Sequence, residues 1–100
     1  MQRDVILING AHMQNEDKAV RYLAEKFDLG SKFRGDMDDF GEKLAEIKKP
    51  TDIVLMHDDE MLDSLKEYGE NIFDVLMSAA GENDNLDLLV AKSVFESGEE

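Results

Sequence analysis

The sequence predicts a single α/β domain built on a three-stranded parallel sheet with helices packed on it. Three short apolar runs, at 5–8, 52–56 and 86–91, are rich in valine, isoleucine and leucine. Continuous runs of this kind are typical of parallel strands that are buried on both faces. The stretches between them have apolar residues three and four positions apart, which indicates helices. The predicted order is therefore β-α-α-β-α-α-β, with right-handed crossovers.

The first half of the chain predicts one strand and two helices. Asn9-Gly10 ends the first strand in a turn, and Asn15 caps a helix from residue 16 to about residue 27. A second helix is predicted over 36–48, capped by Asp36 and stopped by Pro50. Its inward stripe steps by three, four and three positions: Met37, Phe40, Leu44 and Ile47.

The second half predicts two further helices between the last two strands. The first of them is capped by Asp58 or Asp59 and turns Met61, Leu62 and Leu65 inward. Gly69 is expected to break the pattern, and Asn71 to cap the next helix, whose inner stripe is Ile72, Phe73, Leu76, Met77 and Ala80.

We expect one domain over residues 1–100, ordered from about residue 4 to residue 95. Val94 and Phe95 are expected to cover the core, and the residues from Ser97 to form a flexible acidic tail.

Charge and composition exclude several classes of function. The net charge is −13, and residues 51–100 hold fourteen acids against only Lys66 and Lys92. Nucleic acids and anionic membranes bind clustered Lys and Arg, so we expect neither as a partner. The chain has no cysteine, no apolar run long enough to span a bilayer and no signal peptide, which predicts a cytoplasmic protein. No cofactor or metal motif is present, and we expect a protein that is not an enzyme and is monomeric when free.

The predicted second helix carries an unusual row of acids. Asp38, Glu42 and Glu46 are four residues apart, which destabilises a helix by a few tenths of a kcal/mol per pair. Such a row either keeps the helix soluble or faces a cationic partner.

Four segments resemble the barstar family of ribonuclease inhibitors over roughly residues 5–91. Ile8-Asn9-Gly10 is similar to the family's I-N-G turn, and residues 34–44 (RGDMDDFGEKL) to its Y-G-E-N-L-D-A-L-W-D-C-L block with one residue deleted after the glycine. Residues 50–55 (PTDIVL) are similar to the family's short proline-led second strand, and residues 68–71 (YGEN) to the segment before its last strand.

The resemblance implies an inhibitor or immunity-type protein that blocks the active site of a small basic ribonuclease, or a similar protein, with its second helix and the loop before it. The family's two inhibitory aspartates fall on Asp38 and Glu42, its asparagine on Asp36, and its tyrosine pair near Phe33. We expect the partner-binding residues to be Phe33, Asp36, Asp38, Asp39, Glu42 and Glu46. The chain departs from the family where a tryptophan is replaced by Gly41 and where an inhibitory glutamate falls near Ala79.

Two alternative hypotheses use the segment after the second strand. Asp58, Asp59, Glu60 and Asp63 are the candidate residues of a different acidic protein-binding module with no ribonuclease target. His57 with the three acids that follow it is also the candidate site of a small metal-dependent enzyme, although a helix cap at Asp58 or Asp59 explains these acids better.

Overall fold

A computed structural model describes residues 3–91 of the chain. Its elements in order are the strand β1, the helices α1 and α2, the strand β2, the helices α3 and α4, and the strand β3: Asp4–Asn9, Glu16–Lys26, Met37–Ala45, Thr51–Met56, Asp58–Leu65, Glu67–Glu82 and Leu86–Ala91. A single 3-10 turn, Gly10–His12, follows β1. The predicted order is confirmed. The tail and the contribution expected from Val94 and Phe95 lie outside the described residues.

The sheet has the strand order β1-β2-β3, and both pairs are parallel. Ile8 pairs with Leu55, and Leu55 pairs with Val90, so the three strands end at one edge. The predicted three-stranded parallel sheet is therefore confirmed. The connections between the strands are the helix pairs α1–α2 and α3–α4.

The core lies on one face of the sheet. Its fully buried side chains include Ile8, Ile53 and Leu55 from the strands, with Leu23, Phe40, Leu44, Met61, Ile72 and Leu76 from the helices. The opposite face is open, because Val5 is 58% exposed, Leu7 49% and Leu89 62%. The prediction that the strands are buried on both faces is wrong. An apolar run alone does not reveal whether helices cover one face or two.

The junction between α3 and α4 also differs from the prediction. Gly69 does not break a helix but lies inside α4, where a Cβ atom would come 2.9 Å from the Met61 carbonyl oxygen of α3. The small residue permits close packing of the two helices. The helical path is interrupted at Lys66, with φ 57° and ψ −124°, and α4 begins at Glu67, so Asn71 lies inside the helix and is not its cap. Likewise His57, rather than Asp58 or Asp59, occupies the cap position of α3.

The helix α2 is held at both ends. Asp36 caps its start, as predicted, because its carboxylate accepts a hydrogen bond of 2.9 Å from the Asp38 N–H. The helix ends at Ala45, three residues earlier than predicted. The Asn83 side chain donates from Nδ2 to the carbonyl oxygens of Leu44 and Ile47, each at 3.0 Å, and so ties this end to α4. None of the helices in residues 3–91 has the length and apolarity of a transmembrane span.

Candidate partner-binding surface

The helix α2 forms a ridge between two grooves. The α2–α4 groove, of about 900 Å³, is lined by residues of α2, α4 and the turn after α4. The loop groove, of about 520 Å³, lies between residues 29–33 and the other side of α2. Glu42 lines both grooves, so the two form one continuous surface around the ridge.

The α2–α4 groove has acidic walls and a partly apolar floor. Asp38 and Glu42, both exposed, contribute from α2. The floor includes Met37, Val75 and Ala79. A Lys or Arg side chain from a partner fits such a groove, because its aliphatic stem can lie on apolar atoms while its charged end reaches carboxylates.

The opposite wall of this groove was not predicted from the sequence. Asp74, Ser78 and Glu82 line it from α4, and Asp84 follows in the turn. The first three are four residues apart, the same spacing as the acid row on α2. That spacing is a signal that places them on one face of a helix. The inner stripe of α4 does not include these residues, because they lie on the face that borders the groove.

The loop groove brings together four of the six predicted site residues. Phe33, Asp39, Glu42 and Glu46 all line it. Phe33 is half-buried and packs on the core ring of Phe40, with 6.2 Å between the ring centroids, so only part of its ring is exposed. Lys32 and Lys43 also line this groove, which makes it less negative than the α2–α4 groove.

The remaining predicted residue, Asp36, lies where the loop joins α2. Its carboxylate is exposed and is used to cap the helix. This contact fixes the side chain at the start of the ridge, two residues before Asp38 and six before Glu42.

Gly41 and Ala79 leave the α2–α4 groove open. A Cβ atom on Gly41 would meet only the Val75 Cγ1 atom, at 3.7 Å, which is an ordinary contact. Ala79 is 8% exposed and belongs to the core, and its small, uncharged side chain lines the groove beside Ser78. The groove is therefore roomy at the position where the resemblance places a tryptophan in other members.

The loop before α2 is anchored by a residue that sequence reasoning overlooked. The Tyr68 hydroxyl of α4 donates a hydrogen bond of 2.9 Å to the Gly35 carbonyl oxygen. Burial raises the pKa of the Tyr68 phenol, and the carboxylates of Glu16 and Asp36 raise it further. The phenol therefore stays protonated and able to donate throughout the neutral pH range.

The segment after β2 forms the start of α3. The His57 Nδ1 atom lies 3.4 Å from a carboxylate oxygen of Glu60, and three acids occupy the first turn of the helix. Acids at this position stabilise a helix through its dipole. Within residues 3–91, no group of three or more His, Asp or Glu side chains is placed to hold a metal ion.

The fold and this surface define a class: a small α/β domain with a parallel sheet and an acidic helix exposed between two grooves. The family model described as Barstar (barnase inhibitor) matches residues 3–92, and the chain belongs to this family. The resemblance predicted from the sequence is thus confirmed. A search of curated proteins found no significant match. The family description is that of an inhibitor rather than an enzyme.

Proposed function

We propose that this protein inhibits a small basic ribonuclease by laying α2 and the loop over residues 30–36 across the enzyme's active site. The observation that carries the proposal is that Asp38 and Glu42 are exposed one turn apart on a ridge, in a chain whose family is described by barnase inhibition. The ridge is convex, whereas a ribonuclease binds its substrate in a cleft.

The chemistry of inhibition follows from the carboxylates. A ribonuclease active site holds Arg and Lys side chains that bind substrate phosphates. Asp38 and Glu42 can occupy the places of two phosphates and accept charge-assisted hydrogen bonds from those cations. The net charge of −13 also draws a basic enzyme toward the protein before contact.

The double variant Asp38→Asn/Glu42→Gln tests the proposal with barnase as the probe. Both changes keep the shape of the side chains and remove only charge. We expect the dissociation constant to rise by about a hundredfold or more, because two charge-assisted contacts at the centre of the interface are lost. Inhibition of RNA cleavage and surface plasmon resonance measure the effect.

The double variant Asp59→Asn/Asp63→Asn is the matched control. These two exposed acids are also one turn apart on a helix, and the variant changes the net charge by the same amount. We expect about a twofold to threefold slower association and no change in dissociation. If this control loses binding instead, the acidic module at 57–63 replaces our proposal. Failure of the unaltered protein to inhibit barnase would rule out that enzyme class as the target.

A further inference from the structure

We propose that Tyr68 is a positioning residue for the inhibitory loop: its hydroxyl holds the Gly35 carbonyl and thereby fixes the loop that presents Phe33 and Asp36. This inference rests on the proposed function, since it deepens the role of the same surface. Tyr68 itself does not line either groove around α2.

Gly35 adopts a conformation that only glycine tolerates well. Its φ of +97° lies in the left-handed region. A Cβ atom on this residue would come 2.7 Å from both the Tyr68 hydroxyl oxygen and the Val20 Cγ2 atom. The backbone at Gly35 is therefore pressed against α1 and α4 together, and the Tyr68 hydroxyl is the polar group at that contact.

The Tyr68 hydroxyl connects three parts of the molecule. It lies at the start of α4, donates to the loop at Gly35, and is close enough to Glu16 of α1 and to Asp36 for both carboxylates to raise its pKa. Its ring also packs against the hydrophobic core. Packing thus fixes the Tyr68 ring, and the hydrogen bond from its hydroxyl holds the Gly35 carbonyl at a fixed place relative to the core.

The position of the Gly35 carbonyl sets the positions of two nearby residues, Phe33 and Asp36. Asp36 follows directly and caps α2, while Phe33 precedes it by two positions and packs on Phe40. A loop held in its binding conformation loses less entropy when a partner binds, and such preorganisation acts mainly on the dissociation rate. Removing the Tyr68 hydroxyl should therefore weaken binding without removing any group from the interface.

The test compares Tyr68→Phe with Tyr22→Phe. Both variants remove one hydroxyl from a part-buried hydrogen bond to the backbone, since the Tyr22 hydroxyl accepts from the Asn9 N–H at 2.7 Å at the end of β1. Tyr22 is remote from the loop in the hydrogen-bond network, so its variant controls for lost stability. Two quantities are measured: the dissociation rate of the barnase complex, and the amide hydrogen exchange of residues 30–38.

We expect Tyr68→Phe to raise both the dissociation rate and the loop exchange by about fivefold to tenfold, which corresponds to one lost hydrogen bond. Tyr22→Phe should leave both near the values of the unaltered protein. Equal effects of the two variants, or no effect of Tyr68→Phe on exchange, would overturn the inference.

The two proposals fail in different ways. If the unaltered protein does not bind barnase, the proposed target is wrong, and loop exchange in the two variants decides the inference about Tyr68. If barnase binds tightly and Tyr68→Phe changes neither the dissociation rate nor the amide exchange of residues 30–38, the proposed function stands and the positioning role of Tyr68 is wrong.

Discussion

At the scale of single residues, Gly41 lowers the stability of α2, the helix that carries the acidic ridge. It lies in the middle of α2, where glycine is about 1 kcal/mol less favourable than alanine. Its φ is not positive, and a Cβ atom would make only an ordinary contact of 3.7 Å with Val75. Nothing in the packing of residues 3–91 requires a glycine here.

We therefore expect Gly41→Ala to stabilise the protein by about 0.5–1 kcal/mol. Urea unfolding followed by circular dichroism measures the change. Gly69→Ala is the control and should destabilise the protein, because its Cβ atom would come 2.9 Å from the Met61 carbonyl oxygen. A loss of stability in Gly41→Ala would show that α2 needs glycine for a reason that its packing does not reveal.

At the scale of elements, Asn83 joins the two helices that form the groove. Its Nδ2 atom donates to the carbonyl oxygens of Leu44 and Ile47, and its Oδ1 atom accepts from the Asn85 N–H at 2.9 Å. The last carbonyls of a helix have no partner within the helix. Asn83 in the turn after α4 therefore donates to two carbonyls at the end of α2, and the Asn85 Nδ2 atom also donates to the Ile47 carbonyl oxygen, at 3.3 Å.

Replacing Asn83 with alanine should lower the free energy of unfolding by about 1–2 kcal/mol, because the Leu44 and Ile47 carbonyls each lose one donor, although Asn85 still donates to Ile47. Asn71→Ala is the matched control: Asn71 is exposed within α4, and alanine favours a helix, so stability should stay the same or rise slightly. Thermal unfolding of both variants compares them. Equal stability of the two variants would mean that the hydrogen bonds of Asn83 make no net contribution to the free energy of unfolding.

The order of elements was predictable because each strand and helix carries its own apolar pattern. Local pattern also identified Asp36 as the cap of α2, since a cap depends on the few residues that follow it. The start of α4 was not predictable, because Gly69 acts there through contact with Met61 of α3 rather than through its own flexibility. The Tyr68–Gly35 bond joins residues 33 positions apart, and no sequence period signals it. The α4 wall of the α2–α4 groove is a different case: the spacing of Asp74, Ser78 and Glu82 places them on one helix face, but it does not show that this face lies beside α2.

At the scale of the whole molecule, the net charge of −13 has two effects of opposite sign. Like charges repel one another across the folded surface and destabilise the compact state. The same charges attract a basic partner and speed its association. The two effects share one origin, because both depend on unscreened carboxylates.

Raising the salt concentration separates the two effects. The Debye length falls from about 20–30 Å near 0.01–0.02 M salt to under 5 Å near 0.5 M, so distant charges are screened. We expect the free energy of unfolding to rise with salt, while association with barnase slows by about tenfold or more. Urea unfolding and stopped-flow association, each over the same range of sodium chloride, measure the two trends.

In Asp59→Asn/Asp63→Asn both trends should be shallower, since two exposed charges are gone. In Asp38→Asn/Glu42→Gln the stability trend should match this control, but binding should stay weak even at low salt, because direct contacts are lost as well as long-range attraction. An association rate that does not respond to salt would show that the acidic surface plays no part in reaching the partner.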